Sequence, residues 1–367
     1  MPYTLEYGAA VQPQPAAMGV RVEETATGLR LCTGPLQVDL RRAAPALPGR
    51  VAVDRNGDGT FADDEVVMAG DDTAAVALVD AAGRSYTSLG AAEVMQVEES
   101  GPERAVVLLR GHHTGRDGAR LFAWEARLVA AAGQRALRLF YTFGNDVTAA
   151  DFTSLQSLGL SLPLAGGATR YELGAEPPLA GPAEQAPSLF QDFDNHYRLT
   201  ARDSRHEGRR APGWLRLSGR NGTMTVAVRD FWQLYPKGIA ADARGIRVDL
   251  LPALTGNPYA KEAADPEQRV HLYYNLADGL YRFRQGQSKT HEILVSFETE
   301  PTRVGLDAFQ TGVMAAAPSD WTCASGVFGE VPPTGTAWSS RLDPRQSRSV
   351  AGYLKARDER RDYGLMN

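Results

Sequence analysis

The chain has 367 residues, a net charge of −5 and 43% hydrophobic residues. That is room for two or three domains at about 150 residues each, with the composition of an ordinary soluble globular protein. The mild net charge gives no support to the basic surface that nucleic-acid binding needs, and no nucleic-acid partner is expected. Cys32 and Cys323 lie far apart with no C-x-x-C spacing, so the sequence calls for neither a metal-cysteine site nor a disulfide. No segment is apolar enough to span a membrane. The start, MPYTLEYGAA, lacks the charged and apolar regions of a signal peptide. Taken as a true N-terminus it points to the cytoplasm; further residues before it would leave a secreted or periplasmic location open.

Residues 19–40 read as three short strands, VRVEE, LRLCT and LQVDL, punctuated by TGL and TGPL. VAV and EVVMAG then flank DRNGDGTFADDE, residues 54–65. Asp54, Asn56, Asp58, Thr60 and Glu65 fall on positions one, three, five, seven and twelve of a calcium-loop pattern, with Gly59 at the turn. Calcium takes six to eight oxygens, which short carboxylates and amides at alternate positions supply. Pro45 and Pro48 stand where an EF-hand helix would run. The pattern therefore predicts either a structural calcium ion pinning a turn between two strands, or an acidic turn closed by its own backbone.

From 101 to 145, ERAVVLLRGHH, GRDGARLFAWEARLVAAAG and QRALRLFYTF form three apolar-rich runs broken at hairpin spacing. Further runs at 157–164, 213–219, 223–232, 246–252, 268–276 and 291–298 continue the series. Several are apolar on both faces, as in a sandwich core. Residues 165–212 and 253–268 are rich in Pro, Gly and Ala and read as long functional or mobile loops. The tail predicts one helix, with Asp343 as N-cap, Pro344 at its first position, Gly364 past its end, and Val350, Tyr353 and Leu354 as an apolar stripe. It reads as the doorway to a helical domain. The fold class is thus all-β: a large antiparallel, supersandwich-like β-sandwich with a short C-terminal helical segment.

Two stretches concentrate chemistry. VRDFWQLYPKGI (228–239) sets Arg229, Trp232, Gln233, Tyr235 and Lys237 at a strand end and in the loop after it. YRFRQGQSKTHEILVSF (281–297) crowds Arg282, Arg284, Gln287, Lys289 and His291 before a buried strand. Aromatic faces among Arg, Lys and Gln suit a sugar, whose C–H face stacks while its hydroxyls and carboxylates are hydrogen-bonded. The plainer alternatives are that Phe231 and Trp232 are core, that Lys289 is a solvated charge, and that His291 is a satisfied histidine. His196 and Tyr197 in DFDNHYRLT are a third candidate group. His112 and His113 point to opposite faces of a strand, which argues against a shared metal. No H-E-x-x-H, G-x-S-x-G or Walker motif is present.

LEYG (5–8), TGPL (33–36), GWLRLSGRNGTMTVAVRDFWQLYPKGI (213–239), GQSKTHEILVSF (286–297) and DYGLMN (362–367) together resemble the exo-rhamnogalacturonan lyase family, also called YetA-like proteins. That resemblance implies an N-terminal small β-barrel, a central β-sandwich and a C-terminal (α/α) toroid. Here it places the barrel end or a linker at 1–30, the sandwich at 31–300, and a linker and first helix at 301–367, with the toroid as a missing partner in cis. It also implies β-elimination on a pectic uronate glycan beside rhamnose, with a uronate-containing polysaccharide or oligosaccharide as substrate. Such a reaction needs a cation or donors on the carboxylate, a base for the C5 proton and an acid for the leaving oxygen. Lys289, Arg229 and Lys237 are candidates for the carboxylate; His291, His196 and Tyr235 for the proton transfers; Trp232, Gln233, Arg284 and Gln287 for sugar contacts. A non-catalytic carbohydrate-binding or structural sandwich and an epimerase-like sandwich enzyme are the rival expectations.

Overall fold

The computed structural model describes residues 8, 10–12, 19–71, 73–202, 204–266, 272, 276, 278–298, 303–312 and 317–364. Among them the chain is mostly antiparallel β. A five-stranded meander runs through Arg21–Glu24, Gly28–Cys32, Leu36–Arg41, Arg50–Val53 and Val66–Met68. The expected strands on either side of the acidic loop are the last two of these. Leu29, Leu31, Leu36, Val38 and Val51 bury one face of the meander in the main core.

The remaining strands form two large sheets. The first has, in neighbour order, Val94–Ser100, Arg104–Gly115, Arg120–Ala131, Ala136–Gly144, Ser288–Ser296, Gly222–Val228, Trp214–Gly219, Ala168–Leu173 and Leu179–Pro182. The second has Ser85–Thr87, Val76–Asp80, Phe152–Pro163, Gly245–Leu251, Lys237–Asp242, Ser188–Phe193, His196–Ala201 and Ser204–Gly208, with Tyr281–Arg284 on the opening residues of Phe152–Pro163. One short bridge, Tyr86–Thr87 against Thr114–Gly115, ties the two sheets along an edge.

Period-two burial explains the layering. In Arg120–Ala131 every second residue, from Phe122 to Ala130, is buried while its neighbours are partly covered. Phe122, Phe143 and Phe283 meet edge-to-face or stacked between the sheets, and such pairs add to the burial term. Phe122 sits at a bulge with φ +53°. Its carbonyl meets Nδ1 of buried His113 at 2.9 Å, and Nε2 of His113 meets the Tyr141 hydroxyl at 2.7 Å. His113 is thus a satisfied core histidine, and burial lowers its pKa to about 4.

Residues 165–212, expected as loop, instead carry five strands, Ala168–Leu173, Leu179–Pro182, Ser188–Phe193, His196–Ala201 and Ser204–Gly208. Two of them, Leu179–Pro182 and Ser204–Gly208, are edge strands with few buried residues, so their apolar pattern is thin. The expected run at 268–276 lies almost wholly outside the described residues. A short helix, Ala260–Ala264, interrupts the strands, and helices Arg303–Thr311, Ser319–Ala324 and Asp343–Arg360 follow the sandwich. None of the described helices is long and apolar enough to cross a membrane. The terminal helix begins one residue before expectation: Leu342 is its cap and Asp343 its first residue, and Asp343 accepts from Gly335 N–H and Ser339 Oγ. It ends at Arg361, in the left-handed region, rather than at Gly364. Val350, Tyr353 and Leu354 are exposed.

Candidate functional site

The strand register brings three separate stretches of sequence to one end of the sandwich. Val228 pairs with Ile293, and Arg229 N–H reaches the Glu292 carbonyl at 3.0 Å. The chain after Val228 therefore runs beside the start of the Ser288–Ser296 strand, where Lys289 and His291 stand. It then crosses from the first sheet to the second, through residues 229–236, and enters Lys237–Asp242. Lys237 is opposite Gln191, so the Phe193–His196 turn lies at that same end.

Beneath the 229–236 turn the environment is apolar. Lys237 is 0% exposed, and its Nζ donates to the Leu250 carbonyl at 2.9 Å and the Pro236 carbonyl at 3.4 Å. Burial holds its pKa well below the usual lysine range. His291 is buried, stacks on Phe143 at 6.0 Å, and has no hydrogen-bond partner on either ring nitrogen among the described residues. Burial, with Lys237 and Lys289 nearby, pushes its pKa well down. His291 is therefore not the satisfied strand-start histidine of the plainer expectation. Lys237 reaches no solvent-facing group, because its ammonium end is committed to backbone carbonyls.

The rim is more open. Lys289 is half-buried; burial lowers its pKa and the Asp230 charge opposes that. Arg229 is held by Glu292, Nε to Oε2 at 2.5 Å, with its guanidinium 4.8 Å from the Phe309 ring centre. Phe231 is core, as the plainer expectation had it. Trp232 is half-buried, with Arg210 stacked over it at 4.0 Å and Tyr363 against its edge at 5.1 Å. The Gln233 carbonyl accepts from Gly364 N–H at 2.7 Å.

Beside this turn is a cavity of about 400 Å³, lined among others by Phe193, Asp194, Asn195, Tyr235, Glu262 and Arg361. Phe193 and Tyr235 rings lie 5.7 Å apart. Asp194 is 2% exposed and takes Nε of Arg361 at 2.8 Å; Asn195 accepts from the same guanidinium at 2.6 Å. One Glu262 carboxylate oxygen is buried with no partner among the described residues. His196 is oriented by Asp192, Nδ1 to Oδ1 at 2.6 Å, and its Nε2 is 3.8 Å from Glu207.

The other expected residues lie elsewhere. Arg284 and Gln287 close the tight turn between Tyr281–Arg284 and Ser288–Ser296, with Gln287 Oε1 accepting Arg284 N–H at 2.6 Å. In the acidic loop, Asp54 accepts from Gly57 N–H at 2.6 Å and Gly59 N–H at 2.9 Å. Asp58 accepts from Thr60 N–H at 2.8 Å, and Asn56 from Asp58 N–H at 2.9 Å. Glu65 accepts from Arg55 N–H at 2.8 Å and Ala62 N–H at 3.2 Å. Each carboxylate thus has a local partner. Among the described residues no three His, Cys, Asp or Glu side chains gather as a metal site.

Residues 20–172 match the family model of the PcRGLX-like protein central beta sandwich domain. The match spans less than half of the 367 residues and supports the resemblance to rhamnogalacturonan lyase-like proteins. Among solved structures, a galactose mutarotase-like protein from Lactobacillus casei is 13% identical, with 76% of this chain and 100% of that one covered and a TM-score of 0.38. A glycosyl hydrolase family 38 protein from Enterococcus faecalis is 12% identical, with 80% and 32% covered and a TM-score of 0.43. A putative aldose 1-epimerase from Escherichia coli K12 is 13% identical, with 77% and 100% covered and a TM-score of 0.31. No curated protein matches this chain.

Asp230, Asp194, Glu262 and Arg361 were not singled out from sequence. Asp230 is inside the VRDFW stretch, and its positive φ leaves no mark on residue type. Asp194 and Arg361 are 167 positions apart, so only the fold pairs them.

Proposed function

We propose that this chain is the sandwich portion of a polysaccharide lyase that cleaves a uronate glycan, with pectic rhamnogalacturonan as the first substrate to test. The observation that carries the reading is the match of residues 20–172 to a PcRGLX-like central sandwich. The end of the sandwich supplies chemistry in keeping with it. The Phe193 and Tyr235 rings line a cavity of sugar size, where pyranose C–H faces can stack.

Lys289 is the reacting group in this proposal. Burial lowers the pKa of half-buried Lys289, the direction that suits a base for the C5 proton. Once protonated, it stands as an ammonium beside the developing enolate and stabilises it. Arg229 is already neutralised by Glu292, and Lys237 is enclosed. His196, oriented by Asp192, is the alternative proton carrier.

The test is incubation of the full gene product with rhamnogalacturonan and with polygalacturonate, following ultraviolet absorbance of the unsaturated uronate. Product from the wild type and not from Lys289→Ala, at equal melting temperature, is the expected result. Glycan binding without absorbance change would move the assignment to a carbohydrate-binding sandwich.

Calcium in the Asp54–Glu65 loop is a separate proposal, resting on the ligand pattern in the sequence. Its test is a chelator-induced fall in melting temperature that calcium reverses; no response leaves the loop as a self-closed acidic turn.

A further inference from the structure

The cavity beside Tyr235 is built by four pieces of chain that only the fold brings together. The Ser188–Phe193 strand and the turn after it bring Phe193 and Asp194. The turn at 229–236 brings Tyr235, and the end of the terminal helix brings Arg360 and Arg361. The short helix Ala260–Ala264 brings Glu262. Tyr259, just before that helix, fastens it to the sandwich. Tyr259 is buried, its hydroxyl donates to the Asp192 carbonyl at 2.7 Å, and its ring meets Phe193 edge-on at 5.2 Å. Its carbonyl accepts from Ala263 N–H at 2.8 Å. Glu262 is thereby held at a cavity walled by the Phe193 and Tyr235 rings.

The polar lining is uneven. Asp194 is engaged by Arg361, whose guanidinium also donates to Asn195. That pair leaves little charge to offer a ligand. Glu359 is shared with Lys355 at 3.5 Å. Glu262 differs from both, because one of its oxygens is buried and has no hydrogen-bond partner among the described residues. A buried acceptor in that state costs free energy until a donor reaches it. Arg360 is exposed and has no ion pair among the described residues. An acidic acceptor in a cavity walled by aromatic rings matches a sugar that brings hydroxyl donors and an apolar C–H face. It opposes a uronate, because two carboxylates sharing one desolvated site cannot both stay ionised without cost. The volume of about 400 Å³ is at the small end of ligand pockets, which run from roughly 300 to 1,000 Å³.

We propose that this cavity is the subsite for an uncharged sugar of the glycan, with Glu262 accepting from its hydroxyls and the Phe193 and Tyr235 rings covering its C–H face. Exposed Arg360 is left for the carboxylate of the uronate next to it. This rests on the reading above that the chain acts on a uronate glycan, and it adds which unit of that glycan is held here. Charge sorts the units, with the neutral sugar inside and the uronate at the rim or beyond. Selection comes mainly from what the site refuses, a second negative charge beside Glu262. A site whose buried acceptor is satisfied by a hydroxyl also rejects a sugar that lacks the donor there.

The experiment titrates the full gene product at neutral pH with methyl rhamnoside, a neutral sugar, and with the methyl glycoside of galacturonate, its charged counterpart. Binding is read by saturation-transfer NMR and calorimetry, with a melting temperature for every variant. Wild type should bind the neutral glycoside and hold the uronate at least about tenfold more weakly. Glu262→Leu should weaken the neutral glycoside by about tenfold or more. Glu262→Gln keeps an acceptor and drops the charge, so the preference for the neutral sugar should shrink. Phe193→Leu should weaken the neutral glycoside as well, through loss of the stacking ring. Equal or tighter binding of the uronate by wild type would overturn the subsite, and so would binding of neither glycoside. Unchanged neutral-sugar affinity in folded Glu262→Leu and Phe193→Leu would also overturn it. The lyase reading fails separately. Neutral-sugar binding that is lost in Glu262→Leu, with no unsaturated product from wild type, would keep the subsite and overturn the elimination. Unsaturated product from a wild type that prefers the uronate would do the reverse.

Discussion

Two turns in this chain are rich in polar residues, and they have opposite character. In the acidic turn at 54–65, the carboxylates of Asp54, Asp58 and Glu65 accept from N–H groups of the same loop. In the turn at 229–236 and the strand beside it, the Asp230 and Lys289 side chains have no hydrogen bond or ion pair among the described residues, and His291 is buried with both ring nitrogens unpartnered there. Local sequence pattern builds the first turn and explains nearly all of its contacts. Long-range register builds the second and leaves polar groups unspent, and buried or half-buried groups left in that state call for an explanation in function.

The comparison breaks most decisively at the reacting groups. Lys289→Ala is expected to lower kcat by about 10²–10⁴-fold while the melting temperature stays near wild type. A substantial loss of stability with activity retained would make Lys289 a packing residue.

Next in size is the acid response of the core. The His113 pKa is lowered to about 4 in the folded state by burial, against about 6.5 unfolded. Above about pH 6.5 the ring is neutral in both states and its full contribution is present. As the pH falls from there towards 4, the unfolded state takes up the proton first, and on the order of 3 kcal/mol of stability is lost. His291 shifts in the same direction, so the loss should be steeper than one histidine gives. Urea midpoints between pH 7 and pH 4 measure it; His113→Gln should flatten the curve, and an unchanged curve would place the proton uptake elsewhere.

Arg361→Ala should cost about 1–2 kcal/mol. Among the described residues it leaves buried Asp194 with the more distant Arg210 as its ion-pair partner, while Arg361 itself is half-exposed and screened. If the cavity beside Tyr235 holds glycan, the same change should raise KM more than it lowers kcat. In the self-closed turn, Asp54→Ala removes acceptors from two N–H groups, for about 1 kcal/mol, and should leave kcat untouched.

Much of the architecture was legible because burial alternates with period two. The runs from 101 to 145 emerge as the strands Arg104–Gly115, Arg120–Ala131 and Ala136–Gly144. The strands within 165–212 were not, because stretches such as LAGP carry little apolar pattern; partners such as Trp214–Gly219 define them. For the site, the two conspicuous stretches were legible as residue types, and the register sets them side by side. What could not be read was burial. Lys237 and Lys289 look alike in sequence, yet one is enclosed beneath Pro236 and Leu250 while the other reaches the rim. Glu262 escaped notice for a related reason, since what marks it is a carboxylate oxygen buried without a partner among the described residues.

The measurement closest to the central claim is the ultraviolet time course of the full gene product on rhamnogalacturonan, run beside Lys289→Ala. The account predicts steady growth of unsaturated uronate with the wild type and none with the variant. A flat trace with wild-type protein that is folded and binds the glycan would contradict it.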